Sequence, residues 1–175
     1  LLKQLRKSSL LWYDIAVFAL NSGLRRGEIL AVTPAHIDLS AKSCNVFDTK
    51  THVGRSVPLN ETAYDVARKY IAISKNPSIP LFNIQGSPIN PHSPIFRNAV
   101  KACGFNIGVT DRRAQVCFHT LRHTFASWLV QAGIKLQVVA QLLGHTSLKM
   151  TLRYAHLAPD QGRVAVTCLP SFEAV

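Results

Sequence analysis

The stretch "HTLRH" at positions 119–123 puts two histidines and an arginine at the front of an otherwise apolar run, "TFASWLVQAG". Further on, "TLRYAHL" places Tyr154 next to Arg153. His119 and His123 have the i, i+4 spacing of a metal-ligand pair. The glutamate of HExxH is missing, however, and no third ligand is evident, so no metal is expected. His119 and Arg122 stand three residues apart and so are neighbours on a helix surface. There they form either a solvated polar face or part of a grip on an anion. Tyr154 is either an amphipathic surface residue or a hydroxyl aimed at a ligand.

Helices must position these side chains. The apolar spacing predicts helices over 119–132, ended by Gly133, over 135–143, ended by Gly144, and over 147–157, capped by Thr146 or Ser147 and ended before Pro159. Helical residues advance about 100° each, so Leu121, Phe125, Trp128, Leu129 and Ala132 share a core face. His119 lies well off that face. Arg122 falls on its edge, with its stem on the core and its head at the lip. In the last helix Leu148, Thr151, Leu152 and Ala155 make one stripe, and Tyr154 points away from it.

Upstream, Ser8 or Ser9 can cap a helix running to about Asn21, ended by "NSG". A short helix in "RRGEILAV" is stopped by Thr33-Pro34. "SCNVFDTK" and "GRSVPLN" read as two strands joined through "THVG", and Asn60 or Thr62 can start a helix over 63–74. Residues 75–94 are rich in Pro, Asn, Ser and Gly and read as loop; 95–104 read as a helix closed by Gly104, and 105–117 as loop. The class is mostly α with a small antiparallel β-sheet (α+β), and no repeat or domain boundary is visible.

The 175 residues suit one domain with a real core. A hydrophobic content of 47% and a charged content of 17% exclude a disordered chain. No apolar run approaches the roughly 18 residues of a membrane span, so no membrane association is expected. Twenty Lys and Arg against nine Asp and Glu give +11, which favours a polyanionic partner. Cysteines at 44, 103, 117 and 168 lack CxxC spacing and read as reduced thiols of a cytoplasmic protein. The only methionine is Met150, so the chain is expected to be a piece of a longer one.

The segment "QVVAQLLGHTSLKMTLRYA" has the look of a helix-turn-helix: an apolar helix, a glycine turn and a polar second helix. Alone, it would make the chain a basic, non-catalytic DNA-binding module. Four boxes in order point elsewhere: "SGLRRGEIL", "DTKTHVGRSVPL", "HTLRHTFASWLVQAG" and "LLGHTSLKMTLRYAHL". Together, over residues 11–157, they resemble the tyrosine recombinase (phage integrase) family. A type IB topoisomerase relative, with the same chemistry but relaxing supercoils, is the other alternative.

The resemblance implies the catalytic-domain fold of that family, with 1–175 as a single catalytic domain preceded by a core-binding domain that this chain lacks. It implies a site-specific recombinase, acting in DNA integration or recombination, that works through a covalent 3′-phosphotyrosine link without metal, ATP or other cofactor. Arg25 and Arg122 would clamp the phosphate, and Glu28 would be Arg25's structural companion. Lys50 would protonate the leaving 5′-oxygen, and His145 would donate a hydrogen bond to the phosphate. His119 would accept or relay the proton of the nucleophile, Tyr154. His123 is assigned a structural role. The implied partners are double-stranded DNA, three further copies of the chain in a tetramer on two DNA sites, and accessory DNA-bending proteins. The implied setting is the cytoplasm of a bacterium, with a bacterial or phage gene.

Overall fold

Helix α2 (Leu10–Ser22) is the centre of the fold in this computed structural model, which describes residues 1–47, 54–74, 76–160, 166–167 and 169. The Ser9 side chain accepts a hydrogen bond from the Trp12 amide at 3.3 Å and caps the helix. Gly23 ends it in the left-handed conformation, at φ 63°. Trp12, Ile15, Ala16, Phe18, Ala19 and Leu20 are all buried, so α2 is covered on every side. Asp14, which interrupts the apolar run, is 6% exposed. It accepts hydrogen bonds from the Tyr70 hydroxyl at 2.8 Å and the Lys69 ammonium at 2.5 Å, the partners a buried carboxylate needs.

Around α2 pack α1 (Leu2–Ser8), α3 (Arg26–Ala31), α4 (Glu61–Ile73) and α6 (Phe118–Gln131), with α5 (Ile95–Ala102) against α1. Helix α1 is an addition to the sequence reading, which starts its first helix at Ser8 or Ser9. The extended backbone of Ser9 separates the two helices. A three-stranded antiparallel sheet has the order β1 (Ile37–Asp38), β2 (Ser43–Phe47), β3 (Gly54–Pro58). Cys44 pairs with Val57 and Val46 with Arg55, so Arg55 shares the inward face with three buried apolar residues. Residues 48–53, onto which the expected hairpin turn and Lys50 fall, lie outside the described residues. The stretch read as loop contains a two-residue-per-strand hairpin, β4 (Asn83–Ile84) with β5 (Ser87–Pro88). No described helix is long and apolar enough to cross a membrane.

The C-terminal region departs most from expectation. After α7 (Leu136–Leu143) the segment 147–157 is not an α-helix but two 3₁₀ turns, Leu148–Met150 and Leu152–Leu157. In a 3₁₀ helix residues i and i+3 eclipse. In the second turn, Thr151 at its cap and Tyr154 therefore share the inward side, at 0% and 7% exposure, while Leu152 faces out at 52%; Leu148, in the separate first turn, is 38% exposed. Of the expected stripe only Thr151 is buried, Tyr154 takes the inward place beside it, and the helix-turn-helix reading loses its second α-helix. On α6 the buried residues are Phe118, Leu121, Arg122, Ala126 and Val130, whereas Trp128 is 52% exposed. The face is rotated from the expected one because α6 serves three neighbours, α2, α7 and the last 3₁₀ turn.

Candidate active site

Five of the six sequence-predicted residues meet. Arg25, His119, Arg122, His145 and Tyr154 line one cleft of about 440 Å³, joined by His123, Lys149 and Arg153. Four of the lining residues are Arg or Lys and none is acidic, so the cleft suits an anion. The sixth residue, Lys50, lies outside the described residues.

Two helix ends position the arginines. Arg122 Nη1 donates to the Gly23 carbonyl at the end of α2, at 2.8 Å, and Nη2 donates to the Leu143 carbonyl at the end of α7, at 2.6 Å. Arg25 Nη2 donates to the Gly144 carbonyl at 3.2 Å. The last carbonyls of a helix lack intrahelical partners and carry the negative end of its dipole, so they are natural seats for a guanidinium. Both glycines are required. Gly23 has φ 63°, and a Cβ there would lie 2.4 Å from the Phe125 ring; Gly144 has φ 64°, and a Cβ would meet the Arg55 guanidinium at 2.8 Å. Arg122, expected at the lip of the core, is 4% exposed because its head as well as its stem is drawn inward by these carbonyls.

Behind Arg25 sits Glu28. It accepts from the Arg25 amide at 2.7 Å and from Arg25 Nη1 at 2.8 Å, and it takes a two-pronged bond from Arg55 at 2.9 and 2.8 Å. Burial raises the Glu28 carboxyl, but the bonds and charges of the two arginines outweigh that and leave its pKa lowered. Arg55 thereby connects the sheet, Glu28 and the Gly144 turn. In the sequence, its inward position in the strand alternation is the available signal of that role.

Tyr154 hydroxyl and His123 Nδ1 are 2.5 Å apart. The His119 ring meets the His123 ring edge-on, with centroids 4.6 Å apart. His123 was assigned a structural role from sequence; the structure places it on the tyrosine hydroxyl, and its i, i+4 pairing with His119 was the trace of that. His145 Nδ1 and Thr151 Oγ1 are 2.8 Å apart. Burial, then the charges of Arg122, Arg153 and Arg25, lower the pKa of His119. Burial, then His119, Arg153 and Arg122, push His123 down to about 4. Burial, then Arg122, Arg25 and Arg55, do the same to His145, also to about 4. Burial raises the Tyr154 phenol against the opposing pull of Arg153 and Arg122. At neutral pH the cleft therefore holds fixed guanidinium charge, neutral imidazoles and a protonated phenol.

Comparison with known proteins follows the same lines. The profile of the phage integrase family matches residues 1–161. The integrase of Salmonella phage P22 is 35% identical over 156 residues, covering 84% of this chain and 39% of that protein. A tyrosine recombinase of Thermosipho africanus is 31% identical over 163 residues, covering 91% of this chain and 52% of that protein. The chain thus spans from about two fifths to half the length of these relatives. Among solved structures, the catalytic domain of bacteriophage HP1 integrase superposes with a TM-score of 0.66, with 28% identity over 89% of this chain and 80% of that one.

Proposed function

The chain belongs to the phage integrase family, and we propose that it breaks and rejoins DNA strands at specific sites, as a metal- and ATP-independent tyrosine-type strand transferase. The observation that carries this reading is the convergence of Arg25, Arg122, His145 and Tyr154 on one cationic cleft. A phosphodiester resists attack because negative charge concentrates on its oxygens in the transition state. Guanidiniums held in place beforehand oppose that charge without reorganising. Arg25 and Arg122 are suited to this, since each is already fixed on a helix end and stays charged; burial beside Arg25 draws Arg122 down only to about 10. His145 would donate to a phosphate oxygen through Nε2, with the Thr151 hydroxyl donating to Nδ1 and so fixing that tautomer. Tyr154 attacks phosphorus and keeps the 3′-phosphate as a phosphotyrosine. Lys50 would protonate the departing 5′-oxygen. The ester energy is retained in the phosphotyrosine, so a second strand's 5′-hydroxyl can reverse the step.

In this reading double-stranded DNA is the substrate, four copies act on two sites with DNA-bending accessory proteins, and a core-binding domain completes the grip. The test is a pool of nicked duplexes of randomised sequence, incubated with the protein and searched for an adduct that survives SDS. Wild type should retain a selected subset covalently, and Tyr154→Phe should retain none. An equal yield from Tyr154→Phe, or no adduct from any sequence in the pool, overturns the mechanism.

A further inference from the structure

We infer that His123 is the base that takes the phenolic proton when Tyr154 attacks, with His119 supporting it from one turn earlier on α6. The inference deepens the strand-transfer reading of the same cleft and rests on it. Three observations carry it. First, the atom that reacts is in contact with His123: the Tyr154 hydroxyl lies 2.5 Å from Nδ1, within the reach a general base requires. Second, His119, the residue the family resemblance would make the base, meets the His123 ring edge-on, whereas the phenol's hydrogen bond is to His123. Third, Tyr154 is 7% exposed, so bulk water is poorly placed to take its proton and the acceptor must be a neighbouring side chain.

The surroundings fit an acceptor that is empty before the reaction. His119 and Arg122 on α6 and Arg153 on the last 3₁₀ turn face the His123 ring and, with burial, favour its neutral form. Arg122 and Arg153 also favour the phenolate once the proton has gone. The phosphodiester brings a negative charge into this group as the imidazolium forms, which offsets the repulsion between His123 and its cationic neighbours.

The step balances as follows. The Tyr154 O–H bond breaks and its proton passes to His123 Nδ1. The freed electron pair forms the O–P bond. The P–O5′ bond breaks with its electron pair on the 5′-oxygen, which takes a proton from a separate acid, assigned above to Lys50. On rejoining, the 5′-hydroxyl returns its proton to that acid and its oxygen attacks phosphorus, the P–O bond to Tyr154 breaks with its electron pair on the phenolate, and His123 gives the phenolate back its proton.

The test uses the whole chain and a suicide duplex recovered from the pool, in two forms. One has the ordinary 5′-oxygen and the other a 5′-bridging sulfur, a leaving group that needs no acid. His123→Phe, which keeps the ring, and His123→Asn, which keeps a hydrogen-bond acceptor but takes no proton, should each slow adduct formation by about 10²–10⁴-fold. The sulfur substrate should leave both variants slow, while it restores Lys50→Ala to near the wild-type rate. The acidic limb of the wild-type pH–rate profile should be absent in His123→Asn, so the Asn variant carries the test even where the Phe variant fails to fold. Wild-type rates in His123→Asn, with the loss appearing in His119→Asn instead, overturn the assignment. So does rescue of the His123 variants by sulfur, which would place His123 on the leaving-group side. Wild type forming no adduct sinks the underlying reading instead, which keeps the two failures apart.

Discussion

The two hydrophobic clusters of this protein differ greatly in size, and the reactive groups are divided between them. The larger is built round α2 and runs from Leu5 to Leu121, taking in the sheet, α4 and α5. The smaller has five fully buried members, Ala126, Val130, Val139, Leu143 and Tyr154. Arg25 and Arg122 sit where the two meet, bonded to the ends of α2 and α7. The tyrosine belongs to the smaller cluster and is held on 3₁₀ turns, whose hydrogen bonds are poorer than those of an α-helix. The proposed phosphate grip thus spans the strong and weak parts of the fold, while the proposed nucleophile belongs to the weak part alone. Local opening free energies follow burial and contact density, so the segment carrying Tyr154 should open well below the free energy of global unfolding.

That division can be broken most severely at Arg122, the side chain that joins both clusters. Arg122→Ala removes two charged hydrogen bonds, each worth roughly 1.5–3 kcal/mol, so a loss of about 3–6 kcal/mol in stability is expected, read by urea denaturation, together with loss of the covalent adduct. Arg122→Lys, which cannot reach both carbonyls in one plane, should recover part of the stability and little of the activity. A loss below about 1 kcal/mol for Arg122→Ala would show that the guanidinium does not tie the clusters together.

Next in size, Leu143→Ala empties the small cluster and Ile15→Ala the large one, each at about 2–5 kcal/mol. Hydrogen exchange separates them. Leu143→Ala should deprotect α7 and the neighbouring turns while α2 keeps its slow amides, and Ile15→Ala should lower protection throughout. Uniform deprotection in both variants would mean one cooperative unit.

The smallest effect is that of acid. His123 and His145 have folded-state values near 4 against an ordinary 6.5, so the native state favours their neutral forms. The corresponding stability is fully present above about pH 6.5 and is lost as pH falls toward 4, because the unfolded chain takes up the protons first. Both rings are partly exposed, and the effect is correspondingly modest. Thermal midpoints measured between pH 7 and 5 should fall with acid and should fall less in His145→Asn, whose ring faces Arg25, Arg55 and Arg122 as well as His119.

Much of the large cluster could be read from the chain because its signals are local: a serine cap and a glycine stop around α2, alternation in β2 and β3, and an asparagine cap on α4. The small cluster could not, and Tyr154 shows why. The apolar spacing implies an α-helical period, whereas the 3₁₀ turns bring Tyr154 inward beside Thr151 and leave Leu148 and Leu152 outside. Arg122 was placed near the core from its spacing, but the carbonyls that bury it come from elements remote in sequence, which no local pattern reveals. His123 carries only a structural role in the sequence reading for the same reason, since its partner lies 31 residues away. Arg55 needed both the sheet register and the approach of Gly144 to acquire its meaning.

The bonds of Arg122 also bear on when activity can arise. One spans 99 residues of chain and the other 21. Until α2 and α7 have both docked on α6, the guanidinium has no seat and Tyr154 has no cluster to hold it beside His123. A nascent or half-folded chain therefore carries the proposed nucleophile without the means to use it. For a protein whose proposed reaction severs DNA, that arrangement confines cutting to molecules that have finished folding.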